Sequence, residues 1–278
     1  MRINVNVASL NVYRNYTDSL DRQGEALSRI SSGLKIQNSK DDPVKLAASE
    51  KVRMQIRTSE MVARNAQDAI SLLQVGEGGL TSISDSMQRL KELLVSCDGT
   101  KTPEDLASVQ SEVDSIIKHI DVTAHTTEMN GVKIIGSEYN LRMRTGATGD
   151  EFININTENM DADNLGLSDL KSSLSGIVVG DNAIKGISKV DEAIKKVNEY
   201  RSKFGALQNR LESCYNDTVK ITDTLESADS DLRDADVAEE MANYVTQDIL
   251  VQAGFALMAQ TNKFPQDVLQ ILQNVRSR

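Results

Sequence analysis

The chain has 278 residues, enough for one or two domains, but only 4% of them are aromatic and none is Trp, so a large globular core is excluded. Three prolines among many small and branched residues suit narrow seams between helices, where such side chains interdigitate. A net charge of −10 without a dense Lys/Arg face argues against tracking nucleic-acid phosphates and favours a soluble subunit.

The opening residues Met1-Arg2-Ile3-Asn4-Val5-Asn6-Val7 carry no apolar h-region followed by a small-residue cleavage site, and no later run reaches transmembrane length. Any export is therefore expected to proceed without a cleaved signal peptide, and no membrane partner is expected. The alternation at Ile3, Val5 and Val7 shifts to helical spacing at Leu10, Tyr13, Leu20, Leu27, Ile30 and Leu34. Gly33 and the cluster Asn38-Ser39-Lys40-Asp41-Asp42-Pro43 should end that helix, with Pro43 in the first turn of the next.

From about Lys45 to Val95 the spacing predicts one rod of roughly 75 Å at about 1.5 Å per residue. Its seam steps from Val52 through Ile56, Ser59, Ala63, Ala66, Ile70, Leu73, Glu77, Leu80, Ser84, Met87 and Lys91 to Leu94, which demands a helical partner along its whole length. Gly76-Glu77-Gly78-Gly79 lacks the preceding strand and the following Lys-Ser/Thr of a phosphate loop, so it marks a bend or a close backbone approach. A stop is expected near Asp98-Gly99 and a start at Thr102-Pro103-Glu104-Asp105, where a Thr cap, Pro and two acids suit a helix N-terminus. Leu106, Val109, Val113, Ile116, Ile117 and Ile120 form its stripe, and Asn130-Gly131 is expected to terminate it.

The period then changes. Val132 to Ile135, Tyr139 to Arg144 and Phe152 to Ile155 read as one or two β-hairpins, followed by a loop from Asp161 to Gly180. Helical spacing returns at Val190, Ile194, Val197, Arg201, Phe204, Gln208, Leu211, Tyr215, Thr218, Thr222 and Leu225, an antiparallel partner for the first rod. A last helix carries Val237, Met241, Val245, Ile249, Ala253, Ala256, Leu257 and Gln260 and should end near Phe264-Pro265. The fold class is mainly α: long antiparallel coiled-coil helices with a small β-hairpin region between the two halves. Residues 1–42 plus 229–278 are expected to form a terminal coiled-coil domain, and 43–228 a helical rod domain with hairpins at about 131–158.

Catalytic and metal chemistry lack their parts. His119 and His125 sit without a ligand frame, and no Ser lies in a nucleophile elbow. The acids from Asp229 to Asp236 lack the central Gly and closing Glu of a calcium loop and suit the following helix's dipole instead. Cys97 and Cys214 are inert thiols or a disulfide pair; their spacing decides neither. No enzyme activity, cofactor or nucleic-acid partner is expected.

Particular stretches say more than their spacing. At the amino end they are Asn4-Val5-Asn6-Val7-Ala8-Ser9-Leu10-Asn11, Leu27-Ser28-Arg29-Ile30-Ser31-Ser32-Gly33-Leu34-Lys35-Ile36 and Ser39-Lys40-Asp41-Asp42. Phe204-Gly205-Ala206-Leu207-Gln208-Asn209-Arg210-Leu211 follows, then Asp248-Ile249-Leu250-Val251-Gln252-Ala253-Gly254, Ala259-Gln260-Thr261-Asn262 and Pro265-Gln266-Asp267-Val268-Leu269-Gln270-Ile271-Leu272. Together these stretches closely resemble bacterial flagellin. The likeness spans nearly the whole chain and departs at Pro43-Val44-Lys45-Leu46, in a tail from Gln273 to Arg278, and in lacking large inserted outer domains.

The resemblance implies a subunit that polymerises into the flagellar filament for swimming, extracellular and exported through the flagellar type III apparatus. Its terminal domain would line the filament's inner core. Leu10, Leu27, Ile30, Ile249, Leu250, Ala253, Leu257, Val268, Leu269 and Leu272 would serve polymerisation, and an export chaperone would cover the stretch from about Ile249 to Leu272. Filament cap and hook-junction proteins are the other implied bacterial partners. Arg89, Leu90, Leu93 and Glu112 fall on the family's surface for the innate immune receptor Toll-like receptor 5. The competing readings are a hook–filament junction protein, against which the Pro265-Gln266-Asp267-Val268-Leu269 ending speaks, and a coiled-coil signalling adaptor, which leaves the β-prone excursion unexplained.

Overall fold

The structure is a computed structural model and describes residues 6–97, 102–146, 151–168, 170 and 181–276. The alternation at Ile3 and Val5, the stop at Asp98-Gly99, the turn at 147–150 and the loop at 171–180 lie outside these residues. Five helices are described: α1 (Val7–Ser32), α2 (Pro43–Ser96), α3 (Pro103–Thr126), α4 (Asp181–Arg233) and α5 (Val237–Arg276). Between α3 and α4 run β1 (Glu128–Met129), β2 (Val132–Lys133), β3 (Asn140–Arg144) and β4 (Phe152–Asn156), paired as two antiparallel hairpins. The chain divides into two compact units, Met1–Met54 with Leu225–Arg278, and Gln55–Thr224.

In the first unit, α1 starts where the Asn6 side chain accepts from the Ser9 N–H and stops where Gly33 adopts φ 71°, its N–H donating to the Arg29 carbonyl. Its partner α5 runs antiparallel, because Asn6 meets Thr261, Gln23 meets Asp248 and Arg29 meets Glu240. The segments joining these helices to α2 and α4 are tied by an antiparallel bridge between Leu34 and Asp234. Lys35 N–H donates to the Arg233 carbonyl at 2.7 Å, and the Arg233 guanidinium donates to the Ile36 carbonyl and pairs with Glu50. Nearby, Ser49 and Arg53 both bond Asp229; burial pushes that carboxyl up, and these two partners outweigh it, holding it below the usual carboxylate range.

Two expectations fail here. Helix α5 does not end at Phe264-Pro265 but continues through Pro265 to Arg276. Proline removes one N–H from the helical ladder and strands the carbonyl four residues back, that of Thr261. The Asn6 side-chain amide donates to that carbonyl at 2.9 Å, so the lost bond is replaced from α1. Nor do the acids from Asp229 to Asp236 all serve the α5 dipole: Asp229 pairs with Arg53, and Asp236 alone caps the helix, accepting from the Ala238 and Glu239 N–H groups.

The second unit holds nearly all of the core. Every position of the predicted α2 seam is buried or half-buried, as is every predicted seam position of α4. The buried series on α2 in this unit is broader than the predicted seam: Ser59, Ala66, Leu73, Leu80, Ser84, Met87 and Leu94 are shared with it, and Val62, Ala69, Gly76, Ile83, Leu90 and Leu93 are added. The predicted Ala63, Ile70, Glu77 and Lys91 flank it, on the side of α4, where Glu77 meets Gln208 and Lys91 meets Asp191 at 2.6 Å. That descending order makes the return antiparallel. The other flank faces α3 and the first hairpin, since Ser86 meets His119 and Gly79 meets Thr127 and Ile135.

Of the two readings offered for the α2 glycines, a bend or a close approach, Gly76 and Gly79 mark close approach, by side chains of neighbouring elements. A Cβ on Gly76 would lie 2.6 Å from the Phe204 ring and 2.8 Å from Ile134, and one on Gly79 would lie 2.7 Å from Ile135, whereas one on Gly78 would meet open space. Helix α3 begins with a full capping box between Thr102 and Asp105 and ends at Thr126. Asn130 and Gly131 therefore do not terminate it. With φ 52° and 77° they form the two-residue turn of the β1–β2 hairpin, the conformation such tight turns require. The predicted loop after Asp161 is built of turns over 162–166, and its Ala162, Leu165, Leu167 and Leu170 enter the core. Tyr200 closes this side: its buried hydroxyl donates to the Asn156 carbonyl at 3.0 Å and accepts from the Glu158 N–H at 2.8 Å.

Gly78→Ala should stabilise the protein by about 1 kcal/mol, while Gly76→Ala should cost about 1–2 kcal/mol through overpacking; urea unfolding of the full chain distinguishes them, and equal shifts would contradict the close approach. Burial pushes the Tyr200 hydroxyl up to about 12. The folded state thus holds this proton more tightly than the unfolded one, so the stability involved is complete below the ordinary value of 10.0 and is lost as pH rises through about 12. Tyr200→Phe should lower stability by about 1–3 kcal/mol at neutral pH and flatten the alkaline limb of the stability profile, measured by unfolding between those limits.

Candidate assembly and recognition surfaces

The terminal unit turns its apolar side chains outward. On α1 the face towards α5 consists of Ser9, Val12, Tyr16, Ser19, Gln23, Ala26 and Ile30, spaced alternately by three and four. The predicted stripe of Leu10, Tyr13, Leu20 and Leu27 lies one position away and is exposed, Leu27 to 53%. Helix α5 repeats the pattern. Glu240, Tyr244, Gln247, Asp248, Val251, Gly254, Met258, Thr261 and Pro265 are its buried or half-buried positions among the described side chains, so the seam mixes apolar and polar residues, and the polar ones bond across the pair. Gly254 admits Tyr16 at ordinary contact distance. All eight predicted positions from Val237 to Gln260 face solvent, Ile249 to 60%.

Of the residues expected to serve polymerisation, Leu10, Leu27, Ile249, Leu250, Ala253 and Leu257 lie on this exposed surface, and Ile30 is half-buried. Val268, Leu269 and Leu272 fall within the α5 span, with side chains outside the described set. Sequence periodicity did not single out Phe255, which is 68% exposed beside this stripe. A helical wheel built on the true inner face would have placed it there.

Burial in the unit is correspondingly slight: Ala26, Ile36, Ser49 and Glu240 are its buried residues among those described. At about 25 cal/mol per Å² of apolar surface, so few inward side chains supply little of the free energy needed to order two helices. A contiguous apolar surface left in water is the signature of a surface awaiting a partner.

In the second unit, the expected receptor-contact residues separate by depth. Arg89 and Glu112 are exposed and paired across α2 and α3 at 2.9 Å, with Glu92 a second partner of the guanidinium at 3.3 Å. The bond to Glu112, then that to Glu92, holds Arg89 above its ordinary value. Leu90 is fully buried and Leu93 nearly so. They support the outer pair from beneath and offer it no surface of their own.

Other chemistry-bearing side chains are already occupied. A shallow groove is lined by Glu138, Glu158, Glu199, Lys196 and Lys203, but Lys203 is paired with Glu158 and Glu199, and Lys196 donates to the Asn164 carbonyl. His119 contacts Ser86, and His125 lies 3.5 Å from Asp161. Among the described residues no three His, Cys, Asp or Glu side chains gather as a metal site would need, and no helix is long and apolar enough to cross a membrane. Both cysteines are free; Cys97 is buried, and the Cys214 thiol donates to the Thr145 carbonyl.

Residues 3–139 match the model of the bacterial flagellin N-terminal helical region, and 187–272 that of the C-terminal helical region. A flagellin of Bacillus subtilis (strain 168) is 37% identical over 98% of this chain and 100% of its own length. A flagellar filament 33 kDa core protein of Treponema phagedenis is 34% identical with the same coverage. A solved structure of a putative flagellar hook-associated protein from Vibrio parahaemolyticus, 11% identical, superposes with a TM-score of 0.58 over 70% of this chain and all of its own, a likeness of fold alone. With both ends matched and full-length relatives at this identity, the chain belongs to the bacterial flagellin family.

Proposed function

We propose that this protein is the structural subunit of a helical flagellar filament that drives swimming. The observation that carries the reading is the outward apolar stripe on α1 and α5, set against an inner seam of mixed character in which only Ala26 and Glu240 are buried among the described residues. A subunit built this way gains most of its terminal order from neighbouring copies, and a self-contact that does not close on itself propagates as a helix. In this reading residues 1–42 with 229–278 line the filament's inner core, and 43–228 form the outer rod. The subunit acts outside the cell after export through the flagellar type III apparatus. Before assembly an export chaperone covers the stripe from about Ile249 to Leu272, and the filament cap and hook-junction proteins meet the same ends. The role is structural, with no enzymatic step.

We also propose that the Arg89–Glu112 pair is the centre of a contact for Toll-like receptor 5. An exposed guanidinium fixed by two carboxylates presents its remaining donors in a defined plane. The buried Leu90 and Leu93 set its height on α2.

Leu20→Asp and Ile249→Asp should leave the urea unfolding of the second unit unchanged and abolish elongation of filament seeds by the full chain; normal elongation in both variants would refute assembly through the outward stripe. Arg89→Ala and Glu112→Ala should each reduce binding of the receptor ectodomain by about tenfold or more with folding intact. Leu90→Ala should instead cost about 2–5 kcal/mol of stability through a core cavity, so loss of receptor binding in that variant alone would point to misfolding and away from a direct contact.

A further inference from the structure

The turn of the β1–β2 hairpin is the sequence's one Asn-Gly step. In an open chain that dipeptide is chemically labile, because glycine's bare backbone lets its nitrogen reach the side-chain amide of the residue before it. The Gly131 nitrogen attacks Asn130 Cγ and the Cγ–Nδ2 bond breaks, so ammonia leaves with the Gly131 amide proton and a five-membered imide remains. Water then opens either imide carbonyl, giving an aspartate or, with the main chain rerouted through the side chain, an isoaspartate. The folded turn forbids the first step. Asn130 sits at φ 52°, where a residue with a Cβ has only the left-handed region open to it, with ψ about +30 to +60°. At such a ψ the Gly131 nitrogen lies nearly opposite Asn130 Cβ about the Cα–C bond, whereas ring closure needs the two on the same side.

The turn is itself held shut. Met129 pairs with Val132 and Glu128 with Lys133 at its base, and the Ile134 N–H donates to the Thr127 carbonyl at 3.2 Å. Below them Ile134 and Ile135 are fully buried, and the ladder rests on α2 where a Cβ on Gly79 would lie 2.7 Å from both Thr127 and Ile135. Asn130 and Gly131 are both exposed, so water is at hand and conformation alone withholds the reaction. We propose that Asn130-Gly131 is a deamidation site gated by folding: the closed hairpin protects it, and a chain that stays open is marked by an isoaspartate that bars the hairpin from re-forming. An isoaspartate adds one main-chain carbon to a two-residue turn, so the Met129–Val132 pairing and the Ile134–Thr127 bond cannot both be kept. The aspartate product keeps the backbone and tolerates the left-handed conformation. One intermediate thus yields a product that refolds and one that does not, and the time a chain spends open sets how much of it can still fold.

The test incubates the full chain at mildly alkaline pH, folded in buffer and unfolded in guanidinium chloride. The peptide spanning Asn130 is followed by mass spectrometry for the mass gain of amide-to-acid conversion, with isoaspartate separated from aspartate by chromatography. Conversion at Asn130 should be slower in the folded chain by at least about tenfold, the protection expected where reaction needs local opening of a core-anchored hairpin. After the denaturant is removed, chains carrying isoaspartate should be missing from the pool that regains the wild-type unfolding midpoint, and chains carrying aspartate should be present in it. Asn130→Gly, whose Gly-Gly step suits the same turn, should refold undiminished after equal time in denaturant. Equal conversion in the folded and unfolded chains would overturn the gate, and isoaspartate recovered in the native pool would overturn the mark. Equal loss of refolding in wild type and Asn130→Gly would place the ageing elsewhere in the chain and overturn the proposal as a whole.

Discussion

A helix of 54 residues with apolar side chains on two flanks cannot be satisfied by one partner, and most of the second unit follows from that constraint on α2. Its buried series requires α4 along one flank and α3 with the first hairpin along the other. Glycine is used where three elements converge: at Gly76 the helix surface has to admit both Phe204 and Ile134. Packing against both flanks at once suits a core built largely from Leu, Ile, Val and Ala, in which Tyr200 and Phe204 are the large aromatics among the described residues. It also explains why the β-hairpins are short. They act as covers on a helical core and need only two to five residues per strand.

The terminal unit obeys the opposite rule. Its inner seam mixes Ser, Gln, Gly, Ala and the Arg29–Glu240 pair with Val12, Tyr16, Ile30, Tyr244, Val251 and Met258, while Leu10, Leu20, Leu27, Ile249, Leu250 and Leu257 look outward. A protein selected for stability as a monomer would reverse these faces. Here the contact between α1 and α5 sets direction and register through hydrogen bonds at both ends and the middle, and leaves the hydrophobic driving force for later use. Polar seams suit this purpose because a one-turn slip would break several bonds at once, whereas an all-Leu seam tolerates it.

Much of this was legible from spacing alone. The five helices, the antiparallel return and the Thr102 cap were read from spacing and local signals, which are strong where periodicity runs over many turns. Three features were not legible, each for a different reason. The breadth of the buried face of α2 depends on partners that are remote in sequence, so apolar spacing fixed the helix but placed Ala63 and Ile70 at its centre instead of its flank. Asn130-Gly131 suits both a helix stop and a tight hairpin turn, and only the pairing of Glu128–Met129 with Val132–Lys133 decides between them. The continuation of α5 past Pro265 required a donor from the other end of the chain. On the outer surfaces, the exposed stripe of α1 and α5 was visible in composition, but the depth of Leu90 depends on helix orientation.

The bond from Asn6 to the Thr261 carbonyl spans 255 residues of sequence. On a ribosome the amino-terminal helix emerges long before the residue that accepts this bond has been made, and the proline-containing helix, made last, needs Asn6 to complete its ladder. The ladder of α5 at Pro265 is complete only once α1 lies against it. The order of synthesis therefore keeps the adhesive helices apart while the intervening residues are being made, a delay set by the chain's own connectivity.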